Sequence, residues 1–162
     1  MPISISFFVT AKIDIYLVAM TELRISTETA ELNVPLIHNF LSRHTSWARD
    51  IPLELVQKSI DNSLCFGGFI GSDQVAFARV ISDFSTFANL VDVFVLPEYR
   101  GRGLSKLMMD AVFGHHQLQG LRRFSLATGD AHGLYAQYGF AAPLYPKSLM
   151  ERYFPTIYAD AR

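Results

Sequence analysis

Residues 91–107 read VDVFVLPEYRGRGLSKL, an apolar run followed by a basic, glycine-containing turn and the start of a helical pattern. The apolar run is typical of a buried strand. Gly101 and Gly103 allow the backbone to approach a ligand closely, and main-chain N–H groups at the start of the following helix favour an anion. The stretch therefore predicts a strand–turn–helix site that holds a pyrophosphate.

The composition indicates a folded domain without a general affinity for nucleic acid. The chain has 162 residues, of which 50% are hydrophobic, and a formal net charge of −1. A nucleic-acid binder would need a basic, phosphate-contacting surface. Cys65 is the single cysteine, which excludes an intrachain disulfide and suits a reducing cytoplasm. We expect a cytoplasmic protein in which Cys65 is a buried, small hydrophobic residue.

The first nineteen residues differ in pattern from the rest of the chain. Apolar residues occupy positions 3, 5, 7, 9, 11, 13, 15 and 17, which indicates extended structure, and Lys12 and Asp14 interrupt any signal or membrane segment. The pattern predicts an extended N-terminal extension over residues 1–19 and a single domain over residues 20–162. The exposed alternating face would pair with a sheet edge. That edge could belong to a second copy of the chain, so a homodimer is one expectation.

The remaining elements predict a mixed α/β sheet. Two strands joined through a helix form a parallel pair, and a hairpin adds antiparallel strands. The predicted elements are a strand at 23–26, a helix capped by Asn33, a helix from Pro52, a hairpin of 63–70 and 75–81, a strand at 87–96, the helix after the glycine turn that stops at Gly114, a strand at 123–127 and a short helix at 132–138.

Three phosphate-binding designs could explain the glycine turn. Gly101 and Gly103 begin like a dinucleotide fingerprint, but Lys106 stands where the third glycine belongs, and no G-x-x-x-x-G-K-[ST] pattern is present. The segment instead resembles motif A of the GNAT superfamily of acetyl-coenzyme A-dependent N-acetyltransferases, Q/R-x-x-G-x-G/A after a strand. Arg100, Gly103 and Ser105 occupy its defining places, with Ser105 departing from the usual Gly or Ala.

A second segment strengthens this resemblance. Residues 131–140 read AHGLYAQYGF, similar to the family's A-x-x-L/F-Y-x-x-x-G-F motif about thirty residues downstream. An ordinary strand-to-helix connection would explain the glycine turn alone, but not both motifs in this order.

The resemblance implies the GNAT fold: a mixed, mostly antiparallel sheet with a central parallel strand pair splayed to hold acetyl-coenzyme A, and helices on both faces. By the same resemblance, N–H groups of residues 102–105 hold the pyrophosphate, and the edge of Phe94 and Val95 bonds the pantetheine arm. The implied cofactor-binding residues are Phe94, Val95, Arg100, Gly101, Arg102, Gly103, Leu104 and Ser105.

The chemistry implied is attack of a neutral amine on a thioester, collapse of an oxyanion and departure of a thiolate. Backbone N–H groups near residues 93–95 could stabilise the oxyanion. Tyr135 occupies the family's general-acid place, although its spacing alone is typical of a core tyrosine. No acyl-enzyme is expected, since Cys65 belongs to no nucleophile motif.

Asp92 is the candidate base or amine-positioning group. An unpaired carboxylate in an apolar strand is costly, which suggests a purpose. Pairing with an arginine such as Arg79 explains it equally well. His132 is a second candidate, but a solvent-exposed residue at a helix start is favoured.

The resemblance also implies that substrate selection comes from the loop around Trp47 and from the turn containing Asp83 and Phe87. These aromatics could line an apolar amine pocket, with Asp83 attracting a cation, or simply fill the core. The sequence contains neither H-E-x-x-H nor a cysteine pair, so no catalytic metal is expected.

The sequence therefore predicts a cytoplasmic N-acetyltransferase that moves an acetyl group from acetyl-coenzyme A to an amine of a small molecule or peptide, through a ternary complex. Two alternatives stay open: a non-catalytic acyl-coenzyme A-binding module that acts as a sensor or structural subunit, and a nucleotide-binding protein that holds ATP on residues 101–106.

Overall fold

The structure, a computed structural model, describes residues 23–159. These residues fall into two compact units, one formed by residues 23–32 and Ile60–Ser125, the other by Asn33–Ser59 and residues 126–159. The predicted extension over residues 1–19 lies outside the described residues.

The first unit is built on a five-stranded sheet in the order β1-β2-β3-β4-β5. Strands β1 to β4 pair antiparallel with their sequence neighbours, and β5 lies parallel to β4 at the end of that order. The mixed α/β fold predicted from the sequence is confirmed. The strands are β1 (Leu23–Ser26), β2 (Leu64–Ile70), β3 (Asp73–Ser82), β4 (Phe87–Val95) and β5 (Arg123–Leu126).

Helix α3 (Leu104–Gly114) follows the glycine turn and packs on strands β1 to β4 of this sheet. Its buried face consists of Leu104, Met108, Met109 and Val112. Gly68 in β2 allows the helix to lie close to the sheet. A Cβ at this position would lie 2.9 Å from Met108 Sδ and 3.0 Å from Ala76 Cβ. A small residue is needed at this contact.

Three helices belong mainly to the second unit: α1 (Val34–His44), α2 (Leu53–Asp61) and α4 (His132–Ala136). Helix α1 begins as predicted, with Asn33 Oδ1 accepting a hydrogen bond from the Leu36 N–H at 3.1 Å. Val56 and Ile60 of α2 are buried, whereas Leu53 at its start is exposed. No helix between residues 23 and 159 has the length and apolar character to cross a bilayer.

Cys65 lies in β2 with only 2% of its surface exposed. Burial raises the pKa of its thiol to about 12, which keeps it protonated at neutral pH. We expect the folded protein to show no reaction with a thiol reagent such as DTNB and to titrate one thiol after unfolding in guanidinium. Rapid labelling of the folded protein would contradict this burial.

Candidate functional site

The turn between β4 and α3 has the backbone conformation that close approach to an anion requires. Gly101 and Gly103 have φ angles of 75° and 79°, in the left-handed region that glycine adopts without strain. Gly103 is the N-cap of α3, and its carbonyl accepts from the N–H groups of Lys106 and Leu107. The N–H groups of the first helical turn have no carbonyl one turn earlier to bind, so they face the turn as donors.

Strand β4 presents an open edge beside this turn. Arg123 N–H donates to Thr86 O at 3.2 Å, and Ser125 Oγ contacts Ala88 O and Asn89 Oδ1, so β5 pairs with the first part of β4. Because β5 has 4 residues and β4 has 9, the C-terminal part of β4 extends past the end of β5. That part of β4 therefore has an edge that β5 does not pair.

The direction of hydrogen bonds identifies which residues face this edge. Leu96 N–H donates to Val75 O at 2.9 Å, toward β3. Since main-chain groups alternate sides along a strand, those of Phe94 also point to β3, and those of Val95 and Val93 point to the open edge. Of the predicted pantetheine contacts, Val95 has the suitable orientation, while Phe94 contributes a buried ring packed on Phe77 at 5.9 Å.

Arg100 connects the turn to this edge. Its Nε donates to Val95 O at 3.0 Å, which fixes the end of β4 to the turn. Arg102 lies over the ring of Tyr99 at 5.7 Å. Both arginines therefore support the shape of the turn itself.

Asp92 lies at an irregularity in β4. The register shifts between Phe77 and Arg79, and Asp92 has a φ of 54°. Its Oδ2 accepts from Arg79 Nε at 2.9 Å and lies 2.8 Å from Arg79 Nη2. The alternative considered from the sequence, pairing with Arg79, is confirmed, and a role of Asp92 as base stays a prediction.

Ser63 completes this cluster, since its Oγ accepts from Arg79 Nη1 at 2.9 Å. Sequence reasoning did not identify Ser63, because its pairing spans two strands and depends on the register of the β2–β3 hairpin. It also missed the left-handed conformation of Asp92, for which no local sequence signal such as glycine is present.

The second motif forms a short helix with a tight return. Thr128 Oγ1 accepts from Ala131 N–H at 3.0 Å, before the start of α4. Gly139 has a φ of 83°, which turns the chain so that Phe140 N–H donates to Tyr135 O at 3.2 Å. The rings of Tyr135 and Phe140 then meet edge to face at 6.1 Å. The motif's glycine and phenylalanine thus fix the orientation of its tyrosine.

Tyr135 is buried, with 8% of its surface exposed. Burial, and secondarily the negative charge of Asp130, raises the pKa of its phenol above the ordinary value of 10.0. The phenol is protonated throughout the neutral range, as a tyrosine with the ordinary pKa also is. His132 is exposed at the start of α4, the arrangement that the sequence favoured.

Asp83 organises the turn between β3 and β4. Its carboxylate accepts hydrogen bonds from the N–H groups of Ser85, Thr86 and Phe87 and from Thr86 Oγ1. Ser82 Oγ donates to Phe87 O at 2.6 Å and accepts from Phe84 N–H at 2.8 Å. This turn exposes the rings of Phe84 and Phe87. Attraction of a substrate cation by Asp83 stays a prediction.

These hydrogen bonds lower the pKa of Asp83, chiefly those from Thr86. The folded-state pKa lies below the ordinary value of 3.8, so the stabilisation is present above that pH and is lost as pH falls through the folded-state value. We expect Asp83→Asn to flatten the decline of the melting temperature below about pH 4. If the melting temperatures of the wild type and Asp83→Asn fell in parallel between pH 7 and pH 2, this role would be contradicted.

The remaining predicted substrate residue, Trp47, lies in the loop between α1 and α2 and is 55% exposed. It is therefore not core filler. Between residues 23 and 159, no group of three or more His, Cys, Asp and Glu side chains is placed to hold a metal ion.

A family model and a related protein both match this chain to acetyltransferases. The family model described as Acetyltransferase (GNAT) domain matches residues 61–142. A protein of Gibberella zeae named "Putative acetyltransferase" is 31% identical over 135 residues, which cover 70% of this chain and 75% of that protein.

Solved structures extend the comparison to the fold. A Xanthomonas campestris pv. campestris structure, described as belonging to the GNAT family, is 66% identical with a TM-score of 0.83, covering 85% of this chain and 96% of that one. A Clostridium acetobutylicum protein solved with acetyl-coenzyme A shares the fold alone, at 15% identity and a TM-score of 0.60, over 81% of this chain and 94% of that one. The two motifs, the mixed sheet and these relatives together show that the chain belongs to the GNAT acetyltransferase family.

Proposed function

We propose that this protein transfers the acetyl group of acetyl-coenzyme A directly to an amine of a small molecule or peptide. The observation that carries the proposal is the juxtaposition, in one unit, of the open edge of β4 with the glycine turn at the start of α3. An extended amide-containing arm fits the edge, and a pyrophosphate fits the turn.

Acetyl-coenzyme A supplies a thioester, whose carbonyl carbon is the electrophile. The N–H groups of Gly103, Leu104 and Ser105 would bind the pyrophosphate, with the dipole of the eleven-residue helix α3 behind them. The N–H of Val95 would donate to the pantetheine arm, since the Val95 carbonyl already accepts from Arg100. Ser105 replaces the usual Gly or Ala and would add a hydroxyl beside the phosphates. Its side chain is small and half-buried.

The reaction forms a bond between the amine nitrogen and the acetyl carbon and breaks the bond between that carbon and sulfur. The main-chain N–H of Val93 would stabilise the oxyanion, a contribution of about 10²–10³ per donor in other acyl-transfer sites. Tyr135 would return a proton to the departing thiolate. The place of Tyr135 in the second motif and the packing of its ring on Phe140 support this assignment.

The amine must lose a proton, since a primary amine has a pKa of about 10 in water. Asp92 as base or as amine-positioning group is the prediction made from the sequence. Its ion pair with Arg79 occupies one carboxylate oxygen with two guanidinium nitrogens, which supports a structural role more than proton abstraction.

The proposal is tested by following release of coenzyme A spectrophotometrically while a panel of small amines and peptide N-termini is offered. We expect thiol release that depends on both the amine and the acetyl donor. Binding of coenzyme A without release for any amine would favour the rival function, a sensor or structural module. Displacement of coenzyme A by ATP at lower concentrations than by acetyl-coenzyme A would favour a nucleotide-binding protein.

We further propose that the protein forms a homodimer through its C-terminal segment, residues 144–157. At roughly 150–250 Å² for a large side chain, its exposed apolar groups present an area on the order of 800 Å², about what one partner buries in a standard interface. These groups are Leu144, Tyr145, Leu149, Met150, Tyr153, Phe154 and Ile157, all 53–97% exposed.

Light scattering of the full chain tests this homodimer. We expect a dimer that becomes monomeric when Leu149 and Met150 are both replaced by glutamate, because the isologous interface would then bury four carboxylates. A monomeric wild-type protein at micromolar concentration would overturn the proposal.

A further inference from the structure

We propose that Arg79 is a positioning residue that holds a bulge in β4, and that this bulge aims the main chain of Val93 and Val95 at the acyl donor. The inference rests on the proposed function in placing the donor on this edge of β4. The ion pair with Asp92 is the means by which Arg79 acts.

The bulge consists of one extra residue in β4. Phe77 pairs with Phe94 and Arg79 pairs with Val91, so Ala78 alone faces both Asp92 and Val93. Asp92, at a φ of 54°, occupies the position that glycine usually fills in bulges with a left-handed first residue. The ion pair therefore joins the bulged residue to the neighbouring position on the partner strand.

The extra residue determines which groups face the ligand. Main-chain and side-chain directions alternate along a strand, so a shift of one residue reverses every direction beyond it. Without the bulge, the N–H and C=O groups of Val95 would point to β3 instead of the open edge. The ring of Phe94, now packed on Phe77, would also leave its place.

Aspartate adopts the left-handed conformation more readily than most L residues, but less readily than glycine, and a fixed side chain helps to hold it there. Arg79 holds that side chain through two nitrogens on Asp92 Oδ2, and Ser63 Oγ fixes the third guanidinium nitrogen. The side chains of Arg79 and Asp92 are 14% and 10% exposed, so solvent screens the pair weakly. Removal of Arg79 would take the guanidinium partner from the largely buried carboxylate of Asp92.

The first test compares Arg79→Met with Arg24→Met. Arg24 also forms an ion pair, with Glu31 at 2.6 Å, but that pair is exposed and far less costly to remove. We expect Arg79→Met to lower kcat by about 10²-fold, the effect of misplacing one oxyanion donor, and to change KM for acetyl-coenzyme A by less than about tenfold. Arg24→Met should leave both parameters unchanged. An unchanged kcat in folded Arg79→Met would overturn the proposal.

The second test separates positioning from base catalysis through the double variant Arg79→Met/Asp92→Gly. Glycine adopts the left-handed conformation without strain and needs no cationic partner. If Arg79 acts through the bulge, the double variant should recover at least about tenfold in kcat over Arg79→Met. If Asp92 is the base, the double variant must be slower than the single one, and its pH–rate profile must lose the acidic limb.

A structural readout keeps this inference separate from the proposed function. Crystal structures of the wild type, Arg79→Met and the double variant would give the φ of residue 92 and the pairing of Phe77 with residue 94. We expect the bulge in the wild type and the double variant and its loss or displacement in Arg79→Met. An unperturbed bulge in Arg79→Met refutes the positioning role, whereas absence of thiol release by a wild type with this bulge refutes only the proposed function.

Discussion

Replacement of Tyr135 by phenylalanine should lower kcat for thiol release by about 10²–10⁴, the range of general-acid contributions. The substitution removes one oxygen from a buried ring that packs against Phe140, so the fold should be retained. Affinity for coenzyme A, measured by calorimetry, should change little, because the phenol acts on the departing sulfur and not on the phosphates. The combined measurement separates a chemical role from a binding role.

Tyr138→Phe is the matched control, since Tyr138 lies three residues further along the same motif and is half-buried. It should retain wild-type kcat. A structure with bound coenzyme A gives an independent test, in which the Tyr135 oxygen must lie within hydrogen-bond reach of the sulfur. Equal rates for wild type and Tyr135→Phe, or a large separation of oxygen and sulfur, would remove Tyr135 from the mechanism.

Replacement of Gly103 by valine should weaken coenzyme A binding by about 100-fold or more. Valine at a φ of 79° is strained, and relief of that strain would rotate the first N–H groups of α3 away from the pyrophosphate. Each charge-assisted hydrogen bond lost costs about 1.5–3 kcal/mol, so the loss of two accounts for the expected change. Isothermal titration calorimetry with coenzyme A, and with its dephosphorylated pantetheine fragment, measures the effect.

The fragment provides an internal comparison, because it lacks the pyrophosphate and should lose little affinity in Gly103→Val. Gly114→Ala is the matched control at the other end of the same helix, where a Cβ would meet open space. That variant should bind coenzyme A as the wild type does. A uniform loss for coenzyme A and pantetheine would indicate distortion of the strand edge instead of the phosphate turn.

Much of this fold was predictable because local signals agreed with tertiary structure. Asn33 caps α1, Gly71 with a φ of 60° turns the β2–β3 hairpin, and a helix follows Gly103 as predicted. Leu53 is a counterexample, since its helical spacing matched Val56 and Ile60 but it lies exposed at the first position of α2. Periodicity identifies the buried face of a helix, but it does not show where the helix ends or which terminal residues are buried.

The backbone conformation of the site was predictable only at the glycines of the two motifs. Gly101, Gly103 and Gly139 all have the positive φ that their places in the two motifs require. The bulge at Asp92 was not predictable, because it depends on the register of β3 against β4 and on a cross-strand partner thirteen positions away. Strand pairing is nonlocal, and a single sequence contains no direct record of it.

The open part of β4 also has a consequence for solution behaviour. An unpaired strand edge is a template on which any extended chain can add, and such edges promote aggregation. Arg100 donates to Val95 O at that edge and thereby occupies the acceptor that an incoming strand would use first. Arg100 of the phosphate turn thus also makes the edge less accessible to a foreign polypeptide, while the neighbouring N–H groups can still donate to a thin, flexible arm.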